Sequence, residues 1–284
     1  SALSDFANIA DDRISPGADD LIYGGDLAKW TMFAHGIKAR LLIHQSKKST
    51  FDAQKVIDEV NASFASSTDD AAFHFGTNYQ SPWYQYIDQR GDISYSTLDA
   101  NYGIGCFHSD TMQALNDPRF AKMIDVNGDY YAPGFPSAVY MADDAPVTLI
   151  SYHELLFIKA EAYHRLGDAA NAGTALSAAV DASMDKLGVD PADRDAYKTA
   201  HVDFTNTTDK LGMIMFEKYI ANYLQPESYT DWRRTGYPNL PLTANAATSS
   251  IPRRFVYPTS ERQNNPNGLN QNSSLFTPAL WWDN

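Results

Sequence analysis

Between positions 81 and 95 the chain reads Ser81-Pro82-Trp83-Tyr84-Gln85-Tyr86, followed by Asp88, Gln89, Arg90, Asp92 and Tyr95. Flat rings in this density can lie against the C–H face of a sugar, while amides, carboxylates and a guanidinium meet its hydroxyls. Pro82 restricts the backbone just before the aromatics and helps to hold them outward. Trp83, Tyr84, Tyr86, Arg90 and Tyr95 are therefore the candidate ligand contacts. The same rings could instead pack a loop onto a neighbouring helix, and the residue types alone leave both uses open.

Other constellations are weaker. Asp125, Asn127 and Asp129 alternate as calcium-loop ligands do, but Gly128 is out of place and no glutamate stands at the twelfth position. Asn127-Gly128 reads more simply as a type I′ turn. His153-Glu154 lacks a second histidine four residues on, so no zinc-protease helix is formed, and no metal site is expected. Asp88 with Asp92, or Asp143 with Asp144, could be imagined as a glycosidase pair, yet 35 acidic residues produce such pairs by chance. There is no nucleophile elbow, P-loop or dinucleotide fingerprint. The expectation is a binding protein with no catalytic residues and no cofactor.

Two arginine pairs, Arg233-Arg234 and Arg253-Arg254, stand near Glu217, Glu227, Asp231 and Glu261 in sequence. Guanidinium forks suit carboxylates, so internal ion pairs that pin loops to a helix are one reading and an anion site is the other.

The elements that must position these residues are mostly helical. Position 26 starts a helix to about 45, with Asp26 as N-cap and Leu27, Trp30, Ala34, Ile37 and Leu41 as its expected buried stripe. A second helix, 53–63, faces inward through Ala53, Val56, Ile57 and Val60. Leu156, Ala160, Tyr163, Ala172, Leu176 and Ala179 carry the spacing of a tetratricopeptide helical hairpin, with Gly167-Asp168 at its turn; Ile37, Leu41, His44, Ala53, Ile57 and Val60 repeat that spacing. The expected fold is mainly α: degenerate tetratricopeptide-type hairpins at 26–63 and 151–183 within a single domain, 1–284. A loop-rich, aromatic-rich insertion fills 65–150, with one short helix at 109–115. Further helices are expected at 190–197 and 211–225, followed by C-terminal loops whose Trp281 and Trp282 pack onto the body.

Composition bounds the partners. The 284 residues are 44% hydrophobic, enough for a sizeable core, and 22 basic against 35 acidic residues leave a net charge of −13. That field disfavours nucleic acid. Cys106 is the lone cysteine, so neither an internal disulfide nor a thiolate cluster can form. No apolar run is long enough for a membrane helix.

Four segments in order carry a family resemblance. Asp26 to Trp30, with Phe33, Ala34 and Arg40, resembles the GD-x-x-K-W-x-x-F-A helix of the SusD/RagB family. Asp117-Pro118-Arg119-Phe120 resembles its DPR turn, and Ile158-Lys159-Ala160-Glu161-Ala162-Tyr163 its K-A-E-A-Y helix. DWRRTGYP at 231–238 and IPRRFVYPTSE at 251–261 resemble its C-terminal part. The resemblance covers about 20–267 and implies an outer-membrane nutrient-binding lipoprotein at the surface of a Gram-negative cell, SusD-like, binding a glycan and partnering a TonB-dependent transporter. It implies attachment to the membrane only through a lipid anchor, and neither the lipobox cysteine nor the family's N-terminal helical half is seen in this sequence. A tetratricopeptide-like protein-interaction scaffold is the alternative, with a glycoside hydrolase third.

Overall fold

The structure is a computed structural model describing residues 2–7, 17–86, 106–128, 134–242, 246–265, 267, 274–277 and 279–283. It is mainly helical.

After a short α1 (Ala2–Ala7) come α2 (Leu27–His44) and α3 (Ala53–Asn61), each opened by an aspartate that accepts from the first-turn amides: Asp26 from Ala28 and Lys29, Asp52 from Gln54 and Lys55. Ala53, Val56, Ile57 and Val60 are buried, as their period requires. In α2 the packed set differs from the expected stripe. Gly36, Ala39 and Ile43 are buried and Ile37 and Phe33 pack partly against the same core, whereas Leu41 is 55% exposed; Trp30, Phe33 and Ile37 also line a groove with Leu3 and Phe6. α2 has apolar residues on two faces, and close approach selects the one with small side chains. A Cβ on Gly36 would lie 2.8 Å from Ser63 Oγ and 3.3 Å from Leu155 Cδ1.

The second hairpin matches its pattern. α8 (Tyr152–Leu166) and α9 (Ala169–Lys186), labelled here after the insertion elements α4–α7, pack Leu156, Ala160, Ala172, Leu176 and Ala179 into one core. Gly167 turns the chain at φ 81° and Asp168 caps the next helix. α8 also packs against α3, so its opposite face closes the first hairpin's core through Leu155, Ile158 and Ala162.

The insertion is not loop alone. β1 (Ala71–Phe73) and β4 (Val147–Ile150) pair antiparallel, Ala71 opposite Ile150, and so clasp its two ends together at its base. Within it lie α4 (Pro82–Tyr84), α5 (Phe107–Ala114), α6 (Phe120–Met123), the antiparallel pair β2 (Ile124–Asp125) and β3 (Phe135–Pro136), and α7 (Ala138–Met141). Strands of two to four residues are too short to show alternation. Gly128 takes φ 77° and its N–H donates to Asp125 Oδ1 at 2.9 Å, within a β2–β3 connection spanning 126–134. Asn127 does not share the positive φ of Gly128, so the pair does not form the expected type I′ turn. Asp129 lies outside the described residues.

α10 (Pro191–His201) leads to α11 (Lys210–Ala221), which stops short of the expected 225: Asn222 is its C-cap and Leu224 takes φ 59°. The segment Asp231-Trp232-Arg233-Arg234, expected as loop, is inside α12 (Glu227–Thr235), which ends at Gly236 with φ 80°. A last helix, α13 (Thr259–Asn264), follows. Among the described residues no helix is long and apolar enough to cross a membrane.

Candidate functional site

The family-like motifs of the frame are spent on internal ion clusters. Arg119, fully buried, is held by Asp117 (Nη2 to Oδ2, 2.6 Å) and by Glu217 of α11 (2.8 Å), and Tyr197 of α10 donates its hydroxyl to Glu217 at 2.8 Å. The DPR turn is thus a staple between the insertion and two C-terminal helices. Arg234, equally buried, reaches both oxygens of Glu161 from the K-A-E-A-Y helix and Asp231 Oδ1 at 2.6 Å, while Lys218 meets Asp231 Oδ2 at 2.6 Å. Burial pushes both acids upward, and the cations override it: Arg234 and Arg165 hold Glu161 below its ordinary range, as Lys218 and Arg234 do Asp231. Arg253 pairs with buried Asp283 at 2.6 Å, and Arg233 stacks over Tyr229 and Trp282, at 4.2 and 4.9 Å from the ring centroids. Internal pairing is the reading that holds for Arg234 and Arg253. Their decisive partners, Glu161 and Asp283, were not among the acids near them in sequence.

The two terminal tryptophans divide. Trp282 packs under Arg233 and beside His44, whereas Trp281 is 67% exposed with Lys48 at its face, contrary to the expectation that both are anchored.

The insertion uses its rings differently. Pro82 sits at the first position of α4, Ser81 N–H donates to the Asp143 carbonyl at 2.7 Å, and Gln85 N–H returns to the Ser81 carbonyl at 3.0 Å. This short turn rests on α7. It holds Trp83 and Tyr84 half-buried and Tyr86 44% exposed, with Trp83 and Tyr86 edge to face at 6.4 Å and 88°. The Gln85 amide donates to the Gln80 carbonyl at 3.0 Å, bringing alongside the turn that carries Tyr79. Tyr79, 76% exposed and bridged to Gly76, is a further aromatic on this face that sequence reasoning did not select. Its signal was an aromatic after Gly76 and Asn78 in a turn. Arg90 and Tyr95 lie outside the described residues.

Trp83, Tyr84 and Tyr86 thus lie on one turn tied through Ser81 to the Asp143 carbonyl, with Tyr86 open to water. Such a surface can stack on hydrocarbon faces.

The chain matches, over residues 2–258, the family model described as starch-binding associating with outer membrane, SusD-like. It belongs to the SusD/RagB family. Solved structures agree. A SusD/RagB family protein of Bacteroides thetaiotaomicron superposes with TM-score 0.77 at 27% identity, covering 99% of this chain and 70% of that one. A SusD homologue of Bacteroides ovatus gives 0.72 at 20%, covering 99% and 71%. A chitin-binding protein gives 0.67 at 23%, covering 93% and 67%. No curated protein matches. This SusD-like chain is therefore one of a family of carbohydrate- or nutrient-binding proteins associated with the outer membrane. The four sequence segments that suggested the kinship fall on α2, the Arg119 staple, α8 and α12 with its following loop.

Proposed function

We propose that this protein captures an oligosaccharide or polysaccharide on the aromatic face around Trp83, Tyr84 and Tyr86, without catalysis, and passes it to a TonB-dependent transporter. Its place would be the cell surface, reached through a lipid anchor on the precursor. Arg90 and Tyr95, a few residues on, complete the proposed contacts. The observation that carries the reading is that this face stays open to solvent although its backbone is pinned to α7: Tyr86 and Tyr79 project rings outward where a buried loop would fold them in. Family membership and the chitin-binding relative support a glycan as the ligand class.

Stacking of one or two rings with a few hydrogen bonds to a hydrated sugar gives weak affinity, on the order of micromolar to millimolar. Weak capture suits transfer. Affinity electrophoresis in gels containing single polysaccharides tests the reading: retardation of the wild-type chain by at least one glycan, relieved in Trp83→Ala, is expected. Free migration in every gel, with retention of a protein partner instead, would favour the scaffold alternative.

A further inference from the structure

A second concave site shares α7 with the Trp83 turn but is lined by none of residues 81–86; it lies where the end of the insertion meets α8, α9 and the end of α11. It encloses about 400 Å³, within the range of small-molecule sites. Its rim is exposed at Val139, Asp144, Pro146 and Lys186, and its floor is built from buried His153, Ser183 and Asn222.

The floor's hydrogen bonding is incomplete in a specific way. His153 lies against the Asn222 side chain, an interaction that favours its protonated form but is outweighed by burial. The Asn222 amide nitrogen, inaccessible from outside, has no acceptor. Buried amide N–H groups are costly to leave so. Ser183 Oγ spends its proton on the Val180 carbonyl at 2.8 Å and therefore presents lone pairs only, while Ser151 Oγ accepts from Glu154 N–H at 3.3 Å and keeps its proton to give.

Of the charged lining residues, Glu154 and Lys186 are neutralised within the protein, and Asp144 stands at the exposed rim. Glu154 is held by Arg40 through both oxygens, at 2.7 and 2.6 Å, and Lys186 by Asp70 at 2.7 Å. Burial drops His153 to about 3, so it is neutral at pH 7. The remaining wall is hydrocarbon and aromatic, with Tyr140 and Tyr223 edge to face at 5.1 Å.

A neutral ligand with an acceptor for Asn222, a donor for Ser183 and some C–H surface fits this lining. A hydroxyl accepts and donates at once, and neighbouring hydroxyls on a carbon ring supply the set. We propose that this cavity binds a single neutral sugar ring through Asn222, Ser183 and Ser151, as a second carbohydrate site separate from the Trp83 face. Choosing a sugar over other neutral polyols rests on the glycan-binding reading above; the donor and acceptor pattern does not.

The test uses the full chain with carbon-13-labelled histidine, titrated with the methyl glycosides of glucose, galactose, mannose, xylose and N-acetylglucosamine, with myo-inositol as the non-sugar polyol. The His153 ring resonance is expected to shift saturably with at least one glycoside. That shift should persist in Trp83→Ala and weaken ten-fold or more in Val139→Trp, which fills the mouth from a side chain already 49% exposed and so spares the core. Asn222→Ala should weaken it likewise, and Val139→Trp keeps the test sound if that variant folds poorly. A His153 signal unmoved by every glycoside, or a shift that survives Val139→Trp, overturns the proposal; so does a response to myo-inositol alone. If His153 is silent while polysaccharides still retard the wild type and not Trp83→Ala, the cavity assignment fails and the capture reading stands. Silence in both experiments removes both.

Discussion

Aromatic rings in two regions of this molecule, the C-terminal helices of the frame and the α4 turn of the insertion, meet different fates. In the frame, Trp282 and Tyr229 lie against Arg233, and Arg234 is buried with its fork consumed by Glu161 and Asp231; Arg119 of the insertion is buried likewise, tied to Asp117 and to Glu217 of the frame. In the insertion, Tyr79 on the turn at Gly76 and Tyr86 at the end of the α4 turn are exposed, and Trp83 is half-buried. The difference shows that residue type does not mark a site. Helices surround the buried arginines of the frame, and the α4 turn rests on α7 with Tyr86 exposed.

The contrast can be broken from the frame side first. Arg234→Met leaves Glu161 buried without its main counter-charge and is expected to lower unfolding stability by about 3–5 kcal/mol in urea titrations; Arg119→Met should cost about as much. A loss under about 1 kcal/mol in both would mean that the clusters do not hold the frame.

Acid is the next lever. His108 and His153 are buried, and burial lowers them from 6.5 to about 4 and about 3. The unfolded chain therefore binds their protons first, so their contribution is complete above pH 6.5 and is lost as pH falls toward the folded values. Each should remove about 1.4 kcal/mol per pH unit across that window. Glu161 and Asp231, held low by their cations, act in the same direction at lower pH: their stability is present above the ordinary carboxylate range and is lost as pH drops through the folded values. Thermal melts from pH 7 to pH 4 should show a steady fall, with a flatter profile in His153→Gln. A flat wild-type profile would contradict neutral burial.

Smaller effects sharpen the comparison. Gly36→Val inserts side-chain atoms where even a Cβ would be 2.8 Å from Ser63 Oγ, and is expected to cost about 1–3 kcal/mol by chemical denaturation. At the C-terminus, Trp282→Ala should destabilise measurably while Trp281→Ala, mostly in water, stays within about 0.5 kcal/mol. Equal effects would mean that the two rings are anchored alike.

Much of the frame was readable beforehand, for identifiable reasons. α8 and α9 declared themselves because a cap, a glycine turn and a six-position spacing agree, and α3 because its four inward residues have one face to choose. α2 falls where its pattern predicts but is rotated from the expected stripe: Ile37 still packs on the core, Leu41 does not, and Gly36, Ala39 and Ile43 are the buried residues. The helix at Asp231 was hidden by a strongly polar segment whose burial comes from ion pairing, 73 positions from Glu161. β1 and β4 were too short to register, and no local pattern links Ala71 to Ile150. At the candidate site, the Trp83 cluster was legible as composition. Tyr79 was not, because its exposure depends on a turn, and neither was the His153–Asn222 floor, whose members join α8 to the cap of α11.

The central proposal is that the exposed aromatic face of the α4 turn binds a glycan. Calorimetric titration of wild type and Trp83→Ala with a polysaccharide that retards the wild type, alongside melting curves of both, tests it most directly. The account predicts saturable heat from wild type, none from Trp83→Ala, and melting curves that differ by less than about 1 kcal/mol in stability. Equal heats from the two proteins, or a Trp83→Ala chain that unfolds, would contradict it.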